Sequence, residues 1–261
     1  MDLEIQGKVA LISASSQGIG KAVAYGLSKE GCKVIICSRS EEHLNETKKE
    51  IESKTKNLVV PIQVDLMNKE SVNNLIDKIK KDFGRVDILI NNTPGPSYKR
   101  RIELKDEDWL NTFNMTFMSI IWLTEAFIPE MIKAKWGRII YITSVAIKQP
   151  GFIIANSHRS SVASYAKYLS NELGRNNILV NTVCPSYVIT DRLLNIIDEI
   201  AKNENSSREK IIKRWTKDIP LNKIATPEEL ANIVVFLSSE KASYMTGSCI
   251  LVDGGFVKGV Y

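Results

Sequence analysis

The chain of 261 residues carries 35 Lys and Arg against 30 Asp and Glu, with 44% hydrophobic residues, 4 Cys and only 2 His. That length and apolar content allow one large core without metal or disulfide staples, and so few histidines exclude a multi-His metal cluster or an HExxH site. The net charge of +5 comes from bases interspersed with acids, and its densest run, Lys99-Arg100-Arg101, is too short for a nucleic-acid groove, so no nucleic-acid partner is expected.

The opening MDLEIQGK lacks the basic and apolar regions of a leader, and no 18-residue apolar run is read further on. A cytoplasmic protein with no membrane partner is expected. Short β-branched runs then alternate with helical patterns along the whole chain. Residues 8–13, 33–38, 58–63, 86–91, 138–143, 178–183 and 248–252 read as buried strands. Between them apolar residues fall on helical spacing, as in Ile19, Val23 and Leu27, or Leu230, Val234 and Leu237. Parallel strands need crossovers, and helical crossovers cover both faces of a sheet. The expectation is one doubly wound α/β domain over residues 1–261, with about seven parallel strands. Cys32, Cys37, Cys184 and Cys249 show neither CxxC spacing nor disulfide-scaffold density, and are expected to be reduced thiols.

The first strand leads into Ser13-Ala14-Ser15-Ser16-Gln17-Gly18-Ile19-Gly20 and then a helix. Glycines there let the backbone approach a pyrophosphate while the helix N-terminus turns its amides and dipole toward it. The second strand ends Cys37-Ser38-Arg39-Ser40, where the adenosine ribose of a dinucleotide lies. An Asp would accept from a free 2′-hydroxyl, whereas Arg39 offers a planar cation to a 2′-phosphate, which favours NADP(H) over NAD(H). One stretch departs from the β–α rhythm: residues 186–226 hold helical patterns and no strand, after a strand's carboxyl end. They are expected to form a lid over a substrate.

These landmarks make the chain resemble a single-domain short-chain dehydrogenase/reductase, of Rossmann fold, from about Gly7 to Gly255. The resemblance rests on the Ser13–Gly20 loop, Asp65, Asn91-Asn92-Thr93-Pro94, Asn114, Ser144, Val180-Asn181-Thr182-Val183-Cys184-Pro185 and Val252-Asp253-Gly254-Gly255. It implies that Asp65 and Leu66 lie beside the adenine, that Asn91, Asn92 and Thr93 line the cofactor cleft, and that the stretch from Pro185 through Val188 to Thr190 meets the nicotinamide amide. It also implies a homo-oligomer, tetramer or dimer, joined through helices at 107–133 and 155–174 and the last strand. Two departures stand out. The first glycine of the usual TGxxxGIG loop is Ala14, tolerable there only at negative φ, and NNAG has become Asn91-Asn92-Thr93-Pro94.

The family reduces carbonyls or oxidises alcohols with Ser, Tyr and Lys, supported by an Asn. Ser144 and Asn114 are present, but the YxxxK pair is not. Counting back from Glu172, Leu173 and Val180-Asn181 puts Ala155 at the Tyr position and Arg159 at the Lys position. Counting forward from Ser144 gives Ser157 and Ser161. The backward count is preferred, because helix and strand pairings have less length freedom than a loop. With the Gly254-Gly255-Phe256-Val257-Lys258-Gly259 ending, this pattern resembles a divergent 3-oxoacyl-acyl-carrier-protein-reductase-like subgroup lacking the Tyr. Arg159 keeps a cation for ribose or phosphate. A replacement acid is sought in His158, one helical turn after Ala155, with Tyr187 and Tyr98 as substrate-cleft rivals. The expected function is NADP(H)-dependent interconversion of a small carbonyl compound and its alcohol. The alternative is a catalytically silent dinucleotide-binding sensor or partner subunit; non-redox chemistry on the same fold ranks last, since the nucleotide loop is retained.

Overall fold

In the computed structural model, residues 1–95, 101–151 and 153–260 are described. Seven strands, β1 (Val9–Ser13), β2 (Lys33–Ser38), β3 (Val59–Gln63), β4 (Ile88–Asn91), β5 (Gly137–Ile142), β6 (Ile178–Pro185) and β7 (Cys249–Val252), form one sheet in the order β3-β2-β1-β4-β5-β6-β7. Every pairing is parallel. The chain order reverses direction between β1 and β4, so a crevice opens beyond their carboxyl ends.

The strands are apolar on both faces because both faces are covered. One core lies under α1 (Gly18–Lys29) and α9 (Pro227–Leu237), with Ile12, Val23, Leu27, Ile36 and Val234 at its centre. The other lies under α3 (Lys69–Phe83), α5 (Ser119–Ala134) and α6 (Ile153–Leu173), with Leu11, Ile35, Leu89, Phe127 and Val180. The strand register explains the division: Leu11, Ile35 and Leu89 are lateral partners facing one side, and Ile12, Ile36 and Ile90 the other. Between β2 and β3, α2 (Glu41–Thr55) begins at Ser40, whose hydroxyl accepts the His43 N–H at 3.2 Å.

Two strands differ from the sequence expectation by two residues at one end, and the others by one residue at most. β4 starts at Ile88; just before it the Asp87 carboxylate accepts the Val9 N–H at 2.9 Å and pairs with Arg85 at 2.8 Å. β6 runs on through Cys184 and Pro185, which pair with Leu251 and Val252. The helix expected over 107–133 is α4 (Asp106–Phe113) joined to α5 by a π-helical turn, Asn114–Met118. There the Ser119 N–H reaches back to the Asn114 carbonyl, while Thr116 and Ser119 hydroxyls back-bond to the carbonyls of Thr112 and Met115 at 2.7 and 2.6 Å. This continuous helix, Asp106–Ala134, is also long and apolar enough to cross a membrane by length and composition, which corrects the expectation that no such stretch exists. Its buried face, through Ile120, Leu123, Phe127 and Met131, packs into the second core.

The insertion folds as α7 (Asp191–Asn203) and α8 (Arg208–Thr216). They share a small core of Ile197, Ala201, Ile211 and Ile224, and the two ends of the segment meet in a bridge between Val188 and Ala225.

Candidate active site

Beyond the carboxyl ends of the strands lies a cleft of about 630 Å³, within the size range of small-molecule sites. Its first wall is the turn after β1. Gly18 has φ +56°, and a Cβ there would stand 3.1 Å from Thr190 Cγ2 at the root of the insertion. A Cβ on Gly20 would stand 2.5 Å from the Ala14 carbonyl oxygen and 2.9 Å from Asn92 Nδ2, so only glycine lets helix and loop meet. The N-cap of α1, Gln17, makes no side-chain capping bond and no acid occupies the first turn, so no side chain of the helix itself occupies its N-terminal amides. This cradle fits a dinucleotide pyrophosphate. Ala14 sits at φ +47°, contrary to the expectation of a negative φ; the left-handed backbone costs about 1 kcal/mol for a residue with a Cβ. The Asn92 amide bridges the two loops by donating to the Ala14 carbonyl at 3.0 Å.

Sequence-predicted residues divide cleanly. Ser16, Gln17, Gly18 and Ile19 line the cleft, but Ser13 and Ser15 do not. Both are fully buried: Ser13 Oγ donates to the Asn92 carbonyl at 2.7 Å and accepts the Asn92 N–H at 3.0 Å, whereas Ser15 Oγ donates to the Ile12 carbonyl and accepts the Cys37 N–H. They lock the strand ends rather than meet a ligand. Gly20 is likewise beneath the wall. Ser38, exposed Arg39, exposed Asp65 and buried Leu66 line the opposite end, and Arg39 makes no ion pair among the described residues.

At the middle, Asn92 and Thr93 line the cleft while Asn91 turns inward. Its Nδ2 donates to Thr124 Oγ1 at 3.1 Å, Thr124 meets Tyr141 OH at 3.0 Å, and Asn91 Oδ1 is buried without a partner. Asn91 is therefore a core residue, correcting its expected place in the cleft. Asn114 opens the π-helical turn with an exposed side chain outside the lining, and Met115 stands in the wall instead.

Ser144, after β5, lines the cleft, and its Oγ also accepts the Ala146 N–H at 3.2 Å. Ala155 and Arg159, four residues apart on α6, face the same space. Ser157 and Ser161 of the forward count are exposed and back-bond to the carbonyls of Ile153 and Ser157. The loop between Ser144 and α6 is held short by Asn156, whose amide donates to the carbonyls of Ala146 and Gln149 at 2.6 and 3.2 Å. Arg159 is 9% exposed and donates to the Ile142 carbonyl at 3.1 Å. Burial, with a smaller push from the Arg192 charge, brings its guanidinium down to about 10, so it stays a cation at neutral pH.

His158 lies elsewhere. Its ring is 5.8 Å from that of Trp109 and 5.9 Å from that of Phe113, and its Nε2 is buried without a partner. One residue short of Arg159's direction is enough to turn it toward α4, so the expectation that it shares the cleft face is corrected. Burial holds its imidazole below the ordinary range. Tyr187 does line the cleft, with Pro185 and Val188. Its ring stacks on Trp215 at 4.7 Å, and burial, then the Asp218 charge, raises its phenol. Tyr98 lies outside the described residues.

Sequence reasoning gave no role to Arg192, Trp215, Met115 and His43, which also line the cleft. Arg192 and Trp215 come from the insertion, whose spacing marks helices but not which face meets the sheet.

A family model described as enoyl-(acyl carrier protein) reductase matches residues 13–257. The 3-oxoacyl-[acyl-carrier-protein] reductase FabG of Aquifex aeolicus is 32% identical over 257 residues, covering 98% of this chain and 99% of its own. The NADPH-dependent reductase BacG of Bacillus subtilis is 31% identical, covering 97% and 99%. Among solved structures, L-sorbose reductase from Gluconobacter frateurii, complexed with NADPH and L-sorbose, superposes with a TM-score of 0.95 at 32% identity over 100% of both chains.

Proposed function

Because the chain belongs to the short-chain dehydrogenase/reductase family of oxidoreductases, we propose that it is an NADP(H)-dependent carbonyl reductase working without the family's tyrosine. The observation that carries this reading is one continuous cleft joining the uncapped N-terminus of α1, Arg39 and Ser144. The glycine turn would hold the pyrophosphate, Arg39 the 2′-phosphate, Asp65 and Leu66 the adenine end, and Arg159 the nicotinamide ribose. When bound, the reduced nicotinamide supplies the hydride.

The chain's own groups do the rest. Ser144 Oγ polarises the substrate carbonyl, a role compatible with its second bond to the Ala146 N–H, since a hydroxyl both donates and accepts. Ala155 leaves the family's acid position without a hydroxyl. Of the side chains considered as donors, Tyr187 has the support of lining the cleft and of an environment that keeps its phenol protonated. The insertion serves as a lid, its aromatic face excluding water from the reacting centre.

The reading is tested by titrating NADPH and NADH onto native protein and Arg39→Ala. NADPH is expected to bind tighter than NADH, and the variant to lose about tenfold in NADPH affinity only. Equal affinities in the native protein remove the NADP assignment. Tyr187→Phe is expected to slow carbonyl reduction by about 10²-fold or more, the worth of a positioned acid; an unchanged rate assigns the proton to solvent. Ala155 favours a second reading, a dinucleotide-binding protein without turnover. It is distinguished by tight NADPH binding with no consumption on any carbonyl.

A further inference from the structure

The insertion's side of the cleft is walled by rings that hold one another. Tyr187 and Trp215 stack with their centroids 4.7 Å apart and 21° between their planes, and Phe256 meets the Tyr187 ring edge-on at 5.7 Å. Phe256 is set by the turn after β7, where the Asp253 carboxylate accepts the Gly255 and Val257 N–H groups, each at 2.9 Å. Lys258 ties that turn to the insertion by donating to the Asp218 carbonyl at 3.0 Å. The stacked pair is therefore fixed before any ligand arrives, and binding does not have to order it. Met115, Leu193 and Ile196 continue the wall as half-buried side chains, and Ala155 on α6 offers only a methyl group. The hydroxyls nearby are engaged: Ser186 Oγ donates to the Asp253 carbonyl at 3.2 Å, and Thr190 Oγ1 accepts the Leu193 N–H at 3.3 Å. Asp191 and Arg192 also border the cleft but are exposed to solvent.

A ligand rich in hydroxyls gives up its water against such a wall and finds few partners in exchange, at a cost for each group left unpaired. A flat apolar ring has no such groups to satisfy, and it gains the offset or edge geometry that aromatic pairs prefer. Resting on the carbonyl-reducing reading above, we propose that the substrate is an aryl ketone, its ring lying against Tyr187 and Trp215 and its carbonyl turned to Ser144. The methyl group of Ala155 leaves the α6 side of the slot open to such a ring, where a bulkier side chain would fill it. Trp215 is thereby the residue that sets specificity, since it lines the cleft and holds neither the cofactor nor the carbonyl.

The test is calorimetric titration of the protein, with saturating NADP⁺, by acetophenone, by cyclohexyl methyl ketone and by L-sorbose. The saturated analogue keeps the carbonyl and nearly the size of the aryl ketone while removing its π-system, so the comparison isolates the ring. Acetophenone is expected to bind about fivefold tighter than cyclohexyl methyl ketone, and L-sorbose more weakly than either. Trp215→Leu is expected to erase the aryl preference with NADP⁺ affinity unchanged, and Trp215→Phe to keep most of it. The proposal is overturned if acetophenone and its saturated analogue bind alike, if L-sorbose binds more tightly than acetophenone, or if acetophenone does not bind at millimolar concentration. It is equally overturned if the loss in Trp215→Leu falls on NADP⁺ instead, which would give the wall to the nicotinamide. The native protein alone decides the ligand class, whatever the folding of the variants. Because the titration reads binding alone, a protein that consumes no NADPH would remove the reductase reading and leave an aryl preference standing.

Discussion

Ala14 is the residue where the chain departs most plainly from what its neighbours ask of it. At φ +47° it holds a glycine's conformation with a methyl group, braced by the Asn92 amide. Ala14→Gly is therefore expected to raise stability by about 1 kcal/mol in urea unfolding, less whatever the glycine gains as backbone freedom in the unfolded chain; a loss of stability would show that the site is unstrained. His158 carries a second expectation. Burial sets its folded pKa below 6.5, so in the acid range the unfolded chain binds the proton more readily than the folded one. Native stability should fall as pH drops through 6.5, and melting temperatures of His158→Phe should lose part of that acid-side decline; parallel curves for the two proteins would contradict it. The nucleotide loop was legible from Gly18 and Gly20 because close approach has few solutions. Which loop serines face the cleft was not, because Ser13 and Ser15 bond into the strand ends while Ser16 turns out.

Among the elements, α6 and the insertion supply much of the cleft wall. A helical grid makes residues three and four apart near neighbours, and that is why Ala155, His158 and Arg159 could not be sorted from spacing alone. The packing of α4 against α6 sorts them, taking His158 against Trp109 and Phe113 and leaving Ala155 and Arg159 to the cleft. The insertion was legible as helical and as misplaced in the β–α rhythm; its separate core was not, because Ile197, Ala201, Ile211 and Ile224 are brought together only by the turn between α7 and α8. That core makes the insertion a local folding unit. Ile197→Ala, at a fully buried position, is expected to cost about 2 kcal/mol or more, read as lost hydrogen-exchange protection in α7 and α8 with β1, β4 and β5 unaffected. Protection lost evenly across the sheet would instead make the insertion part of the main core.

For the whole molecule, a parallel sheet of about seven strands with helices on both faces was legible, because alternating β and α segments need crossovers that cover the sheet. The same topology gathers the ends of β1, β4, β5 and β6 around one cleft, so that residues as distant in sequence as Gly18, Ser144 and Arg159 line one space. What sequence reading could not supply is the meeting of the insertion with that cleft, since no strand register extends to it. Carbonyl reduction by this cleft without the family's tyrosine is tested by following NADPH consumption as ketoses, 3-oxoacyl thioesters and aryl ketones are added. The expected result is consumption with at least one class, lowered by about 10²-fold in Ser144→Ala. Tight NADPH binding with no consumption on any of them would contradict it.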